Sequence, residues 1–320
     1  MHMKGTTMRI KLHDVGAEIH AEGATLAECD KDEIVELVRK QGYVMLSGFT
    51  PTVNAYDQFT AQFGSCEVTR HVRYPQSRIG LAFHAEDAYT PYRPDALWFL
   101  CVNEGSDGGV PTGVVDGIEL LAAMPAEWQA FCRENSVTFE RQWGPAVWQE
   151  VPEIPRRTAL SAALDAIPGV THAFLDDGFL YVGCQIDLVN RTSDGREAFA
   201  NGLPQAATYP DYYGMSLSDG SPVPAELVAI VDELSLALER DLNWHTGDFA
   251  AVDNLRFMHR RRQNEQQDRD LRVRNCEDFF GTTLPDTGTP LSMWVRDLIT
   301  SEVVVKPDRV GPPKSDLIRG

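Results

Sequence analysis

The 320-residue sequence lacks several features that would assign a protein to a class at once. None of its six cysteines stands at C-x-x-C spacing, which excludes zinc-ribbon and thioredoxin patterns and favours reduced, buried thiols. No apolar run approaches the roughly 18 residues that a membrane helix needs. Neither G-x-G-x-x-G after a strand nor G-x-x-x-x-G-K-[ST] occurs, so nucleotide binding through either phosphate-binding loop is unsupported.

Positive charge is also scarce. The chain has 29 Lys and Arg against 47 Asp and Glu, a formal charge of −18, and its only dense basic run is Arg260–Arg262. This balance argues against nucleic acid as a partner and discourages binding to anionic membrane surfaces. Residues 1–8 lack the apolar core of a signal peptide, so we expect a cytoplasmic protein. The oligomeric state stays open.

The hydrophobic pattern predicts a mainly β protein with flanking helices, folded as a single domain over residues 1–320. Strands are predicted at 8–12, 43–46, twice within 80–103, and at 249–252, 257–259 and 271–276; helices are predicted at 30–40, 56–63, 116–135 (broken near Pro125) and 227–238. Many short strands favour a β-sandwich or barrel over a doubly wound sheet. Residues 142–215 are rich in Pro, Gly, Asp and Asn, and we expect an irregular insertion that forms a lid over a site.

The clearest chemical signal is the run Phe-His-Ala-Glu-Asp-Ala-Tyr at residues 83–89. In an extended chain alternate side chains share a face, so His84 and Glu86 would project together. An imidazole and a carboxylate so placed, with a distant histidine, complete the 2-His-1-carboxylate set that binds Fe(II). His259, which follows a strand, a turn and a second strand, is the best third ligand. For the triplet alone, a structural interpretation, with His84 only hydrogen-bonded and Glu86 at the surface, is the more common one.

Three segments, in the same order, resemble those of the Fe(II)/2-oxoglutarate dioxygenases of the taurine dioxygenase superfamily. They are residues 84–101, which begin His-Ala-Glu-Asp; residues 108–112, Gly-Gly-Val-Pro-Thr; and residues 253–259, Asp-Asn-Leu-Arg-Phe-Met-His. The His-x-Glu triplet, in place of His-x-Asp, is more narrowly similar to the clavaminate synthase-like branch, which includes arginine and asparagine hydroxylases. The resemblance covers roughly residues 30–130 and 245–280.

This resemblance implies a double-stranded β-helix, or jelly-roll, core and a complete set of cofactors. His84, Glu86 and His259 would hold Fe(II), and 2-oxoglutarate would take two further positions on the metal and contact Thr112. Binding of a small-molecule substrate would open the last position to O₂. The implied reaction is oxidative decarboxylation of 2-oxoglutarate to succinate and CO₂, coupled to hydroxylation of an unactivated carbon.

The family also places an arginine downstream of the second histidine, where it pairs with the distal carboxylate of 2-oxoglutarate. Arg269 matches a family Asp-Arg-x-Leu pattern, Arg274 keeps a spacing from His259 seen in related enzymes, and Arg272 shares the strand face of Arg274. A guanidinium suits the role because its planar fork grips a carboxylate at two points and stays charged. Arg269 and Arg274 are the favoured candidates, and the sequence does not choose between them.

The substrate suggested by the branch is a free amino acid or another small polar metabolite, by analogy alone. The retained carboxylate of Glu86 favours hydroxylation or desaturation over halogenation, since related halogenases lack it. The acids Asp176, Asp177 and Asp187 would either meet a cationic group of the substrate or face solvent. A metal-dependent hydrolase is an alternative of another class, although the helical H-E-x-x-H pattern is absent. The intact triad counts against a third alternative, a non-catalytic binding protein.

Other residues near these motifs have plainer interpretations. Asp253 and Asn254 are typical of a turn, and Asp116 is typical of the cap of the helix that follows it. We expect Trp98 and Phe99 to belong to the core, not to a platform for a cofactor. No catalytic residue is predicted beyond the three metal ligands.

Overall fold

The computed structural model of the protein describes residues 7–22, 24–67, 69–73, 80–106, 109–148, 157–265, 268–282, 284–285 and 288–300. Its strands are β1 (Thr7–Leu12), β2 (Ala17–Glu22), β3 (Tyr43–Ser47), β4 (Arg70–Arg73), β5 (Leu81–His84), β6 (Ala96–Asn103), β7 (Thr112–Asp116), β8 (Ser136–Trp143), β9 (Val170–Phe174), β10 (Leu180–Asp187), β11 (Asn190–Arg191), β12 (Glu197–Ala198), β13 (Gly214–Leu217), β14 (Arg240–Leu242), β15 (Phe249–Asp253), β16 (Phe257–Arg261) and β17 (Asp270–Cys276). Its helices are α1 (Lys31–Gln41), α2 (Val53–Thr60), α3 (Gly117–Ala123), α4 (Ala126–Glu134), α5 (Pro145–Trp148), α6 (Arg157–Asp165), α7 (Leu203–Thr208), α8 (Ala225–Ala237) and α9 (Pro290–Thr300). Within these residues, no helix combines the length and the apolar character needed to span a bilayer.

The predicted mainly β architecture with flanking helices is confirmed, and local sequence signals account for the first helix and strand. The Asp30 side chain caps α1 by accepting hydrogen bonds from the main-chain N–H groups of Asp32 and Glu33. Gly42 ends the helix with φ of +90°, and a Cβ there would lie 2.1 Å from a ring carbon of Phe257. Only glycine satisfies both the left-handed backbone and the close ring, so β3 follows at once.

Two sheets face each other across a hydrophobic cluster. The larger has the strand order β1-β2-β3-β15-β6-β17-β4, and the smaller has the order β14-β7-β16-β5. The cluster between them draws alternate residues of β6, β15 and β17 from one sheet and of β7, β14 and β16 from the other: Leu97, Phe99, Cys101, Val114, Leu242, Ala250, Val252, Phe257, Leu271 and Val273. Burial of these inner faces holds the smaller sheet, which carries both site histidines, against the larger one.

The expectation of an irregular insertion at residues 142–215 is wrong in its secondary structure. Part of this segment belongs to a third sheet of order β13-β8-β10-β9, in which β10 pairs with β8 along its whole length, from Leu180 opposite Trp143 to Asp187 opposite Ser136, and part of it forms α5, α6 and α7. The Asp-Asp-Gly at residues 176–178 lies in the tight turn that joins β9 to β10, where Gly178 N–H donates to Leu175 C=O. Turn residues between short strands gave the segment its irregular composition.

Two helices also differ from the prediction. The helix expected at residues 56–63 begins earlier, at Val53, because the Thr52 hydroxyl caps it by accepting from the N–H of Ala55 at 3.2 Å. Part of the predicted mixed tail forms α9, whose apolar face packs against the third sheet. The remaining predicted helices and strands are confirmed to within a few residues, including the break between α3 and α4 at Pro125.

A buried ion pair joins the start of α3 to the turn before β16. Asp116 caps α3, as predicted, by accepting from Ile118 N–H at 2.9 Å. Its other oxygen pairs with the Arg256 guanidinium, whose Nε lies 3.0 Å away. Both side chains are almost fully buried, at 1% and 5% exposure.

Replacing Asp116 by Ala should lower the free energy of unfolding by about 3–5 kcal/mol, because it leaves the Arg256 charge buried and unpaired. Urea denaturation followed by circular dichroism measures the change. Asp187→Ala is the matched control; Asp187 is exposed, accepts from the Ser136 hydroxyl, and should matter by less than about 1 kcal/mol. Equal losses in the two variants would contradict a stabilising role for the buried pair.

Candidate metal centre and its cavity

The three residues predicted as metal ligands meet at one point. His84 ends β5, Glu86 follows two residues later, and His259 lies on β16 directly opposite His84 in the antiparallel register. Glu86 Oε2 lies 3.5 Å from His84 Nε2 and 3.8 Å from His259 Nε2. One ligand atom from each residue lies within 4.8 Å of the others, a spacing at which a single ion can contact all three.

The hydrogen bonds of the histidines leave the nitrogens that face this point available to a metal. His84 Nδ1 lies 2.9 Å from the carbonyl oxygen of Ala82, so Nδ1 carries the proton and Nε2 keeps its lone pair. Burial, reinforced by the neighbouring His84, lowers the pKa of His259 to about 3. The low pKa of His259 favours its neutral imidazole, which is the form that binds metals.

Glu86 reaches the site by a route that differs from the prediction. The chain leaves the extended conformation after His84, and Asp87 has φ of +51°, so Glu86 lies in a turn and not on a strand. Asn254 fixes this turn: its Oδ1 accepts from Glu86 N–H at 2.8 Å, and its Nδ2 donates to Glu86 C=O at 3.0 Å and to Pro94 C=O at 2.9 Å. Asn254, predicted only as a turn residue, therefore also positions the ligand.

The Glu86 carboxylate has a second partner in Arg70, at the start of β4. Arg70 Nη2 donates to Glu86 Oε1 at 2.6 Å and to Asn275 Oδ1 at 2.8 Å. Burial opposes ionisation of Glu86, but the charge of Arg70 outweighs it and holds the pKa of Glu86 well below its usual range. No sequence pattern had pointed to Arg70.

A cavity of about 580 Å³ opens from the triad. On one side it is lined by Thr112 and Arg269, two of the residues predicted to contact 2-oxoglutarate. Thr112 Oγ1 accepts a hydrogen bond from Trp244 Nε1 at 3.0 Å, and Arg269 Nη2 donates to the Val110 carbonyl at 2.9 Å. Arg269 is only 5% exposed, so its guanidinium is held inside the wall of the cavity.

The structure does not bring Arg274 to this cavity, and in this respect the prediction needs correction. Leu271 and Val273 line the cavity, so Arg272 and Arg274, which occupy the alternate positions of β17, project from its other face. Arg274 donates to the carbonyls of Glu67 and Asp57 and to the Thr60 hydroxyl, and it supports α2 instead. Arg272 pairs with Asp270 at 3.3 Å.

The other side of the cavity contains residues that sequence reasoning missed. Arg141 on β8 places its guanidinium carbon 5.0–5.5 Å from the rings of Trp143, Tyr89 and Tyr213, and its Nη1 donates to Ile299 C=O at 2.9 Å. Tyr209, Tyr212 and Thr300, the last residue of α9, line the same region. The run Arg-Gln-Trp at the end of β8 could have indicated a site, since charged and polar side chains on a buried strand need partners inside the protein.

The other residues considered in the sequence analysis lie in the core, at the cavity or at the surface. Trp98 and Phe99 are both buried in the core as predicted, and Phe99 also lines the cavity, with its ring centroid 5.6 Å from that of His259. Strand alternation separates these neighbours. Asp176, Asp177 and Asp187 are exposed and do not line the cavity.

Comparison with known proteins identifies the family to which the chain is similar. The model of the taurine catabolism dioxygenase TauD, TfdA family matches residues 9–276, whereas no curated protein matches the chain. Similar solved structures include PvcB from Pseudomonas aeruginosa (13% identity, 87% of this chain and 95% of that chain covered, TM-score 0.57) and a taurine dioxygenase from Burkholderia xenovorans (16%, 97% and 98%, TM-score 0.57). A third is AAD-2 in complex with Mn(II) and N-oxalylglycine (15%, 88% and 99%, TM-score 0.59).

At such low identities the solved structures show a shared fold, and the family match carries the assignment. That match includes both histidines, Glu86, Thr112 and Arg269. The chain therefore belongs to the TauD/TfdA family of Fe(II)- and 2-oxoglutarate-dependent dioxygenases.

Proposed function

We propose that this dioxygenase hydroxylates an unactivated C–H bond of a small polar molecule, a free amino acid or a metabolite derived from one. The observation that carries the proposal is the convergence of His84, Glu86 and His259 at the wall of a cavity. We place the chain in the clavaminate synthase-like branch because its carboxylate ligand is Glu86 and not an aspartate. We also propose that the two facing sheets form the jelly-roll core of the family, within one domain.

The residues present fit Fe(II). His84 Nε2, His259 Nε2 and Glu86 Oε2 are two imidazoles and one carboxylate, a donor set that leaves open positions on the ion. Bound there with 2-oxoglutarate, the iron would supply the activation of O₂ that hydroxylation requires. Asn254 keeps the Glu86 main chain in place, and the Ala82 carbonyl keeps the His84 ring from rotating.

Thr112 and Arg269 are proposed to bind 2-oxoglutarate. Burial lowers the pKa of Arg269, which shows that its charge is poorly solvated, and an anionic ligand would relieve that cost. The fork of the guanidinium can hold a carboxylate at two points, while the Thr112 hydroxyl, which accepts from Trp244, retains its own proton to donate.

The third sheet and α9 form the proposed lid on the substrate side. This wall combines the Arg141 guanidinium, tyrosine hydroxyls and the main-chain carbonyls at the end of α9, to which Arg141 and Tyr89 donate. Such a lining supplies both donors and acceptors around aromatic faces, which suits a small polar substrate better than a hydrocarbon chain. Enclosure of the substrate also keeps bulk water from the reacting carbon.

Anaerobic addition of Fe(II) and 2-oxoglutarate to the protein should produce a weak visible charge-transfer band. His84→Ala and Glu86→Ala should abolish most of it, because each removes one of three ligands. His20→Ala is the control, since His20 is exposed and lies 2.9 Å from the Ser47 hydroxyl, remote from the triad in the sheet order. Absence of a band in the wild-type protein, together with hydrolysis in the presence of zinc, would favour the hydrolase alternative.

Arg269→Lys should weaken binding of 2-oxoglutarate about 10–100-fold, as expected for the loss of about 1.5–3 kcal/mol from a two-point charged hydrogen bond. Titration of the charge-transfer band with 2-oxoglutarate measures the dissociation constant. Arg274→Lys should leave that constant unchanged once the protein is shown to be folded. The opposite pattern would assign the carboxylate to Arg274.

A screen of free amino acids for stimulated succinate formation tests the substrate class. We expect one amino acid, or a close derivative, to raise succinate formation well above the rate with 2-oxoglutarate alone and to gain one oxygen atom by mass spectrometry. A product two hydrogens lighter would indicate desaturation at the same site. Stimulation only by substrates without polar groups would contradict the proposed class.

A further inference from the structure

We infer that Arg70 is a positioning residue that keeps one oxygen of Glu86 away from the metal, so that the carboxylate binds through the other oxygen alone. The inference rests on the proposed function, since it concerns the same metal site. Its starting point is that the two oxygens of the Glu86 carboxylate have different partners: Oε2 faces the two histidines, whereas Oε1 lies 2.6 Å from Arg70 Nη2.

The number of open coordination positions on the metal depends on whether one or both oxygens of Glu86 bind it. Two imidazoles and one carboxylate oxygen leave half of an octahedral ion free, and 2-oxoglutarate would take two of those positions and O₂ the last. If both oxygens of Glu86 bound the metal, 2-oxoglutarate would fill what remains. The enzyme could then bind its cosubstrate and still have no place for O₂.

A glutamate needs this restraint more than an aspartate does. Its side chain has one more rotatable bond, so a fixed main chain does not fix the carboxylate. The hydrogen bonds of Asn254 to Glu86 go to its N–H and C=O. Among the residues that the structure describes, Arg70 is the side chain that donates a hydrogen bond to Oε1 and so restrains the carboxylate.

Arg70 is itself held in place by the larger sheet. It stands opposite Val273 in the pairing of β4 with β17, and its Nη2 also donates to Asn275 Oδ1 at 2.8 Å. Asn275 is buried, at 1% exposure, and its Nδ2 donates to Asp87 Oδ2 at 3.3 Å. A short chain of hydrogen bonds therefore ties the guanidinium to the turn that carries Glu86. Because Arg70 is 42% exposed, its truncation should not unfold the protein.

Water-proton relaxation of the Mn(II)-loaded protein tests this inference without turnover, because it counts the waters on the metal. In Arg70→Ala at saturating Mn(II), the released Oε1 should displace one water, and the enhancement should fall by roughly a third from the wild-type value. Millimolar guanidinium should restore it. Arg70→Lys, which keeps the charge but not the fork, should change the enhancement in the same direction.

A double-mutant cycle separates positioning from a general effect of charge. In Glu86→Asp the carboxylate retracts by about 1.5 Å, beyond hydrogen-bond reach of Arg70, so adding Arg70→Ala should change the enhancement no further. Arg262→Ala is the matched control: Arg262 also lines the cavity but pairs with Glu239 at 2.7 Å and Asp241 at 2.5 Å, and its loss should leave the enhancement unchanged.

The outcomes are distinct. An unchanged enhancement in Arg70→Ala, or a decrease that guanidinium does not reverse, overturns the role of Arg70 and leaves the proposed function standing. An equal decrease in the Glu86→Asp background assigns the effect to charge and also overturns the inference. Failure of the wild-type protein to bind Mn(II) at all overturns the proposed function itself.

Discussion

Antiparallel pairing of β16 with β5 places His259 directly opposite His84, although 259 − 84 = 175 residues separate them in the chain. Side chains opposite each other on adjacent strands have Cβ atoms about 4.5–5.5 Å apart, which is the distance at which two imidazoles can reach one ion. The ring centroids lie 4.3 Å apart. Register is therefore the constraint on the centre, because a shift of one residue would turn one histidine to the opposite face of the sheet.

The carboxylate ligand is governed by a different kind of restraint. Glu86 lies in a turn, where no ladder of hydrogen bonds fixes the backbone, and the adjacent Asp87 occupies the left-handed region that costs a non-glycine residue energy. Asn254 compensates by holding the N–H and C=O of Glu86, and Asn254 itself belongs to the turn that leads into β16. The turn that positions Glu86 therefore runs directly into the strand that carries His259, and it connects the two facing sheets.

The sequence predicted most of these elements because each has a local cause. A capping aspartate and Gly42 define α1, a continuous apolar run defines β15, and alternating apolar residues define β17. The third sheet escaped prediction because the reasons for its pairing lie outside each strand: β10 is recognisable only against β8, and the turn residues between them dominate the composition. Glu86 was predicted as a ligand from an extended chain, but it lies in a turn; turns and strands can both bring residues i and i+2 near one ion.

The alternation of apolar residues near β17 also bears on the choice between Arg269 and Arg274. Arg269 has the same parity as the apolar Leu271 and Val273, whereas Arg274 has the opposite parity. In a strand that places its apolar face toward the space between two sheets, that parity alone directs Arg269 to the interior. Spacing from His259 gave no such information, because the number of residues that connect β16 to β17 does not determine which face of β17 a side chain occupies.

A protein with a net charge of −18 needs local positive charge to bind an anion, and the arginines around the cavity differ in how much of it they offer. Arg260 and Arg262 line it, but both pair with Glu239, at 2.6 and 2.7 Å, so little of their charge is left for a ligand. Arg269 donates instead to an uncharged carbonyl and keeps its full charge in a buried position. A dianion approaching this acidic protein is repelled by its surface and attracted by such a buried charge in the wall, where low exposure strengthens the interaction. Selectivity for the cosubstrate can therefore arise from the pairing of the neighbouring arginines as much as from Arg269 itself.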